Sequence, residues 1–378
     1  MDTPEDLPEL RLARVEAMVF RVPISTPVVT SFGTMTDRPA VVVRIEDTDG
    51  AVGWGEVWCN FPNVGAEHRA RMLENYVAPL LLTRPWPDPI AAFFELTNRL
   101  HVLGLQCGEP GTIAQIIAGA DIALWDLAGK RAGQPLWKLL GGGPAIRPYA
   151  SGINPTNAER LAAAKLEEGY RAFKLKIGFG AERDLANLTA LRKLLGPEMP
   201  LMADVNQAWD PATAFSMLPR LREYNLEWLE EPVPADTPWR VWQELAAKAG
   251  MPLAAGENLR GEAAFEEALS AKAIGVFQPD LGKWGGFSGC VPLGRQVKAA
   301  GYLFCPHWLG GGIGLAASMH LKAAIGGPGY LEVDANENPL REALGGPLPD
   351  VVAGMSTLSD RPGLGVDPDV KGLRSFQR

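Results

Sequence analysis

The sequence predicts an α/β protein: a (β/α)8-type barrel preceded by a small α+β domain, with a tail that runs back over that first domain. Three observations carry this. From about residue 145, short apolar strands alternate with helical stretches, and strand ends near 174, 204, 230, 257, 280, 307 and 332 recur at intervals of 23 to 30 residues. Before that point strand-like runs come first and helical patterns follow, the order of a separate α+β unit. A doubly wound sheet would show fewer units and a glycine fingerprint after its first strand, and the chain has no such fingerprint there.

The first domain, residues 1–135, opens with AVVVRIEDTDGAVGWGEVW (40–58), two β-rich runs joined through TDG, a hairpin signal. Helical patterns follow in EHRARMLENYVAPLLL, DPIAAFFELTNRLHVL and AQIIAGADIALWDLAGKRAG. The barrel, residues 136–344, starts with SGI (151–153) as its first strand. Then come RAFKLKIG, PLMADVNQ, LEWLEEP, PLAAGE, GVFQPDLG, GYLFCPH and GYLEVD, with helices such as AERDLANLTALRKLLG between them. The tail, residues 345–378, is rich in Gly, Pro and Asp (DRPGLGVDPD) and returns to the first domain.

The formal charge of −8 argues against a nucleic-acid-binding surface. Cys59, Cys107, Cys290 and Cys305 are scattered without a CxxC pair, which speaks against thiolate zinc and a disulfide scaffold. The acidic start MDTPEDLPEL lacks the basic and apolar regions of a leader. No run of about 18 or more uncharged apolar residues suggests a membrane span. A cytoplasmic protein is expected.

In such a barrel the chemistry sits at the C-terminal strand ends. Read in order, those ends give Lys174 and Lys176, Asp204 with Asn206, Glu230, Glu257, Asp280, His307 and Glu332. Singly, each has a plain structural reading: a turn cap, a solvated pair before Pro232, a core histidine. Their recurrence at one point of successive repeats outweighs those readings. Asp204, Glu230 and Glu257 end consecutive strands, and three carboxylates without histidine or cysteine suit a hard cation, Mg²⁺ ahead of Mn²⁺. Chemistry alone does not separate Glu230 from Glu231; Glu230 is closer to the strand.

Lys174 and Lys176 alternate with Phe173, Leu175 and Ile177, so both ammonium groups point to one face. At roughly 7 Å and an effective dielectric of about 20, their repulsion is about 2 kcal/mol, or one to two pKa units. With a nearby dication added, Lys176 is expected neutral near pH 7, as a general base must be. Asp280 and His307, on adjacent strands, supply a second acid–base group.

At these residues the chain resembles the enolase superfamily and, within it, the mandelate racemase subgroup. The resemblance runs from about residue 12 to 370 through GWGE, ADIALWDLAGK, KLKIGFG, ADVNQ, WLEEP, GEN, QPDLGKWGG and PHWLGGGIG, in order and at family spacing. It implies a capping domain over a modified (β/α)8 TIM barrel, in a homo-oligomer. One Mg²⁺ per subunit, replaceable by Mn²⁺, would be bound by Asp204, Glu230 and Glu257. Lys176 is then one base, assisted by Lys174, and the His307–Asp280 dyad the other. Glu332 would hydrogen-bond the developing enediolate, and Asn206 would lie near the substrate carboxylate. Phe32, Trp58 and Trp308, in or beside the closing loops, are expected at the substrate. The muconate lactonizing subgroup carries a lysine where this chain has Asp280, with Lys283 three residues on as the ambiguity. The tail ENPLREAL…RPGLGV and the QPDLGKWGGFSG loop look most like acid-sugar enzymes such as D-galactarolactone cycloisomerase.

The expected reaction is Mg²⁺-dependent abstraction of the proton α to a carboxylate of a small-molecule substrate. Elimination from a hydroxy acid or acid-sugar derivative, by a dehydratase or cycloisomerase, is the first reading; a racemase or epimerase of a 2-hydroxy acid is the second. Phe61, Pro62, Trp58 and Trp308 count against a fully hydroxylated substrate. A rival from another class makes WLGGGIG a phosphate cradle in a Schiff-base aldolase barrel. A barrel that only binds ligand would leave the acid, base and metal residues idle.

Overall fold

The structure, a computed structural model, describes residues 7–378. Residues 1–6, part of the acidic start read as lacking a leader, lie outside the described residues. Strands β1 (Leu12–Thr30), β2 (Gly33–Asp47) and β3 (Val52–Val57) form one antiparallel sheet in that order. The run AVVVRI is apolar throughout because both faces of β2 are covered. Val41, Val43 and Ile45 pack among the cap's own residues, while Ala40 and Val42 join the core shared with the barrel.

The cap helices are α1 (Gly65–Met72), α2 (Ala78–Leu81), α3 (Pro89–Gln106) and α4 (Pro110–Arg131). The sequence reads α1 and α2 as one helix; a π turn, Leu73–Val77, joins them just before Pro79, which has no N–H to continue the ladder. By length and composition α4 could cross a membrane, yet most of it is buried against the sheet and its neighbouring helices. Gly53 and Gly55 let it lie on β3: a Cβ at either would stand 2.1 Å from a carbonyl oxygen of α4.

After α5 (Leu136–Leu139) and β4 (Ala145–Ile146) come eight parallel strands. These are β5 (Pro148–Ile153), β6 (Phe173–Lys176), β7 (Leu201–Asp204), β8 (Leu229–Glu230), β9 (Leu253–Ala255), β10 (Val276–Phe277), β11 (Leu303–Phe304) and β12 (Leu331–Asp334). Seven helices run between them: α6 (Ala158–Glu167), α7 (Ala181–Leu195), α8 (Pro211–Leu221), α9 (Trp239–Ala249), α10 (Glu262–Ala271), α11 (Gly286–Ala299) and α12 (Gly312–Ile325). The strands from β5 to β11 pair in chain order, and β12 returns to pair with β5. Among the described residues no ladder joins β11 to β12, so the curled sheet keeps one seam.

Beyond α13 (Pro339–Gly345), β13 (Ser356–Thr357) pairs with β4, and the tail returns to the cap. Leu364 N–H donates to Asp126 of α4 at 2.7 Å, and Arg378 N–H to the Val19 carbonyl at 2.9 Å.

A buried ion pair also fastens cap to barrel, Arg38 of β2 with Asp334 of β12 at 2.5 Å. Burial pushes the Asp334 carboxyl up, but Arg38 and Arg341 outweigh it, and its pKa lies below the ordinary value. The stabilisation is therefore present above the ordinary carboxylate range and lost as pH falls through the lowered pKa. Arg38→Met, which leaves Asp334 buried without its direct partner, is expected to lose about 3–5 kcal/mol, read as a lower urea midpoint.

Candidate active site

The period of two sends Lys174 and Lys176 of β6 into the barrel, where both are buried. Register places Lys176 beside Asp204, and Asp204 beside Glu230. Lys174 Nζ donates to both Glu230 oxygens at 2.6 and 2.7 Å and reaches Glu332 at 2.8 Å. Lys176 Nζ donates to Asp204 at 2.9 Å and to the Asn206 side-chain oxygen at 2.5 Å. Asn206 sits at φ 46°, and its N–H donates to the other Asp204 oxygen at 2.8 Å.

Further round the ring, His307 Nδ1 lies 2.7 Å from Asp280 and Nε2 lies 2.6 Å from Glu257. The second Asp280 oxygen accepts the N–H groups of Gly282 and Lys283 at 2.8 and 3.0 Å, so the turn after β10 aims the carboxylate. Glu332 accepts from the Ser151 hydroxyl and, at 3.0 Å, from Trp308 N–H.

Burial works against the charge on Lys174, but Glu230 and Glu332 outweigh it and hold its pKa well above the usual lysine value. For Lys176, burial again lowers, Asp204 raises and Lys174 lowers; the net direction is upward. The repulsion from Lys174 acts as expected, but a carboxylate in contact outweighs it; the expected neutral lysine has a dication beside it as well. Burial disfavours charged His307, yet Glu257 and Glu332 outweigh that and hold it as an imidazolium. Burial raises Glu332, and Lys174 with His307 overcomes this, bringing its pKa down to about 2. In this arrangement Glu332 is paired with Lys174 and accepts from the Ser151 hydroxyl and Trp308 N–H.

Above these groups lies a cavity of about 180 Å³, reached by Lys176, Asn206, Glu257 and His307 from the barrel and by Phe32 and Trp58 from the cap. The β1–β2 turn brings Phe32 there: Ser31 Oγ donates to the Asn206 carbonyl at 2.7 Å, and Phe32 stands edge-on to Phe61 with ring centres 5.0 Å apart. Trp308 is not at the cavity. Its ring is 1% exposed and fills a slot left by glycines, where a Cβ at Gly314 would stand 1.9 Å from it. Its Nε1–H donates to Gly311 at 2.9 Å, and the next residue, Leu309, lines the cavity instead.

The WLGGGIG segment is not open to a phosphate. The Glu56 carboxylate from β3 already accepts Gly311 N–H at 2.5 Å and Gly314 N–H at 2.9 Å, at the start of α12. The cradle is real, and an internal carboxyl fills it; burial pushes that carboxyl up to about 7 against the pull of the Gly314, Gly311 and Ile313 N–H groups.

Residues 14–141 match the family described as mandelate racemase / muconate lactonizing enzyme, N-terminal domain, and residues 157–372 match the enolase C-terminal domain-like family. The chain belongs to the enolase superfamily, in its mandelate racemase subgroup. Like its relatives in that superfamily, it is an enzyme. It is 33% identical to D-galactarolactone cycloisomerase of Agrobacterium fabrum, over 97% of this chain and 99% of that one. A crystal structure of a mandelate racemase/muconate lactonizing enzyme from Bordetella bronchiseptica RB50 shares 56% identity at a TM-score of 0.93, covering 98% of this chain and 100% of that one. A racemase from Streptomyces coelicolor A3(2), solved with bound magnesium, shares 30% identity at a TM-score of 0.87, covering 97% and 100% of the two chains.

Whether this enolase-superfamily site suits such an ion depends on its donors. Asp204, Glu230 and Glu257 are buried carboxylates at the ends of consecutive strands, a hard, all-oxygen set. Among the described residues no three acidic, imidazole or thiol groups are drawn together at metal-ligand spacing. Each carboxylate is instead held by a cation of the chain: Lys176, Lys174, and His307 with Lys283. The donor chemistry fits a divalent ion, which would take the place of those ammonium and imidazolium contacts. Of the EEP pair, Glu230 points into the barrel; Glu231, at φ 38°, is held by Asn258 at 2.9 and 3.0 Å.

Sequence reasoning passed over Gln278, which donates to Glu230 at 2.6 Å, and Ser151, which holds Glu332. Both were within reach: Gln278 lies two residues before Asp280, and Ser151 is near the end of the first barrel strand. Lys283, left ambiguous by the sequence, lies at the cavity, 3.2 Å from Glu257 and 4.6 Å from the centre of the Trp58 ring.

Proposed function

We propose that the chain removes the proton α to a carboxylate of a small hydroxy acid or acid-sugar derivative, and that elimination follows, as dehydration or cycloisomerisation. One observation carries this reading: Lys176 of β6 and His307 beyond β11, from well-separated strands, face a single cavity. Asp204, Glu230 and Glu257 would hold one Mg²⁺ per subunit, or Mn²⁺ in its place. When bound, the ion supplies positive charge to the substrate carboxylate and offsets the charge that develops there.

Lys176 takes the α-proton as a neutral amine, for which its ammonium must first let go of Asp204 and give a proton to solvent. Lys174 stays charged between Glu230 and Glu332 and lowers the Lys176 pKa from behind. His307, oriented by Asp280, gives its proton to the departing oxygen. Glu332 acts as an anion that anchors Lys174 and His307. Phe32, Phe61 and Trp58 favour a substrate with an apolar or sparsely hydroxylated distal end.

The same two groups permit racemisation, by return of a proton to the other face. NMR in D₂O with Mg²⁺, across a panel of hydroxy acids and acid-sugar lactones, separates the fates. Loss of water or ring opening to a 2-keto product with deuterium at its β-carbon is the expected result, and deuterium at the α-carbon with inversion alone supports the racemase. If no compound exchanges its α-proton while borohydride traps a carbonyl compound on a lysine, enolate chemistry is the wrong class.

A further inference from the structure

β3 ends at the barrel mouth and touches both loops that carry the His307–Asp280 pair. The Glu56 carboxylate, 1% exposed, receives Gly311 and Gly314 N–H at 2.5 and 2.9 Å. Trp58 N–H points at the carbonyl of Gly282, two residues beyond Asp280, at 3.4 Å. Asn60 Nδ2 donates to the Leu309 carbonyl. The segment from His307 to Gly311 is therefore tied to the cap at two points. Just before them the Trp308 ring packs on Gly282, so the Asp280 and His307 loops share one wedge. A Cβ at Gly311 would stand 2.6 Å from a Glu56 oxygen, so glycine is what lets the carboxylate in. The unpaired N–H groups at the start of a helix favour an anion there.

We propose that Glu56 is a positioning residue for the acid–base pair: by fixing Gly311 and Gly314 it sets the His307 ring over the cavity and preserves its hydrogen bond to Asp280. A carboxylate of the cap thus reaches the chemistry through the loop it holds, without touching the substrate. The kinetic consequence rests on the function proposed above; the geometric claim stands apart from it.

The test is NMR of the full chain labelled with ¹⁵N-histidine, which contains four histidines. The His307 Nδ1 proton, in its 2.7 Å contact with Asp280, is expected to be shielded from water in the wild type. His320 is the control: it is buried in α12 itself and accepts Trp137 N–H at 3.0 Å. Glu56→Ala is expected to speed exchange of the His307 proton about tenfold or more by local opening while His320 is unchanged. Glu56→Gln, which keeps one acceptor oxygen, should lie between; if Glu56→Ala does not fold, Glu56→Gln decides alone. Wild-type exchange at His307 in the folded variants overturns the proposal. So does equal loosening at His307 and His320, which would make Glu56 a simple cap of α12.

The kinetic arm uses a hydroxy acid that the wild type deuterates. Glu56→Gln should slow the step that His307 performs about tenfold and leave α-proton exchange by Lys176 at its wild-type rate. Equal loss at both steps counts against positioning. If the wild type deuterates none of the panel, the proposed function fails, and the NMR arm still decides the role of Glu56.

Discussion

Treatment with EDTA is expected to reduce turnover to background, and Mg²⁺ or Mn²⁺ to restore it. The reason lies in what occupies the three carboxylates otherwise. Lys176 donates to Asp204 at 2.9 Å, and that contact holds its pKa above the ordinary lysine value. A protonated lysine accepts no proton, so without an ion on Asp204 the base is blocked at neutral pH. The sign follows: any residual activity of the stripped protein should rise with pH, as Lys176 deprotonates, and the Mg²⁺-loaded protein should reach its plateau at lower pH. Asp204→Asn, Glu230→Gln and Glu257→Gln should each weaken Mg²⁺ binding in calorimetry. Full turnover by protein shown to be metal-free would refute the assignment of the three carboxylates.

The strand-end reading could find much of this site because a parallel barrel turns topology into proximity. Inward residues at the C-terminal ends of successive strands must meet, so Lys174, Lys176, Asp204, Glu230, Glu257, Asp280, His307 and Glu332 were legible from rhythm alone. The protonation states were not, because they depend on contacts between strands. Lys174 does tune Lys176 downward, and only the register shows Asp204 against it pulling the other way. The pairing of Glu332 with Lys174 at 2.8 Å likewise joins the last barrel strand to the second. The Trp308 ring was misplaced because an aromatic residue beside a catalytic histidine reads as a wall. Only the packing of Gly282, Gly310 and Gly314 shows the slot that takes the ring inward. The phosphate cradle failed for a similar reason: it is filled by the Glu56 carboxyl, roughly 250 residues away in sequence, a separation that no local pattern spans.

Lys176→Ala and His307→Asn are expected to divide the chemistry between them. Removing a general acid or base typically slows turnover about 10²- to 10⁴-fold, so both variants should be nearly inactive, and the α-proton tells them apart. Lys176→Ala removes the group that reaches Asp204 and Asn206 at the cavity, so in D₂O it should lose exchange of the substrate antipode that faces Lys176. His307→Asn leaves Lys176 in place and should still exchange that proton, because removal precedes the step His307 serves. If the reaction is an elimination, the variant stalls there: deuterium accumulates in unreacted substrate, product does not form, and Lys176→Ala shows no exchange from either face. If it is a racemisation, each variant exchanges one antipode, Lys176→Ala the one that faces His307. The two outcomes require different placements of the same ring, protonated over the departing oxygen or neutral over the α-carbon. Intact turnover by His307→Asn would fit neither, and would leave the ring between Glu257 and Asp280 as a buried ion-pair partner of the core.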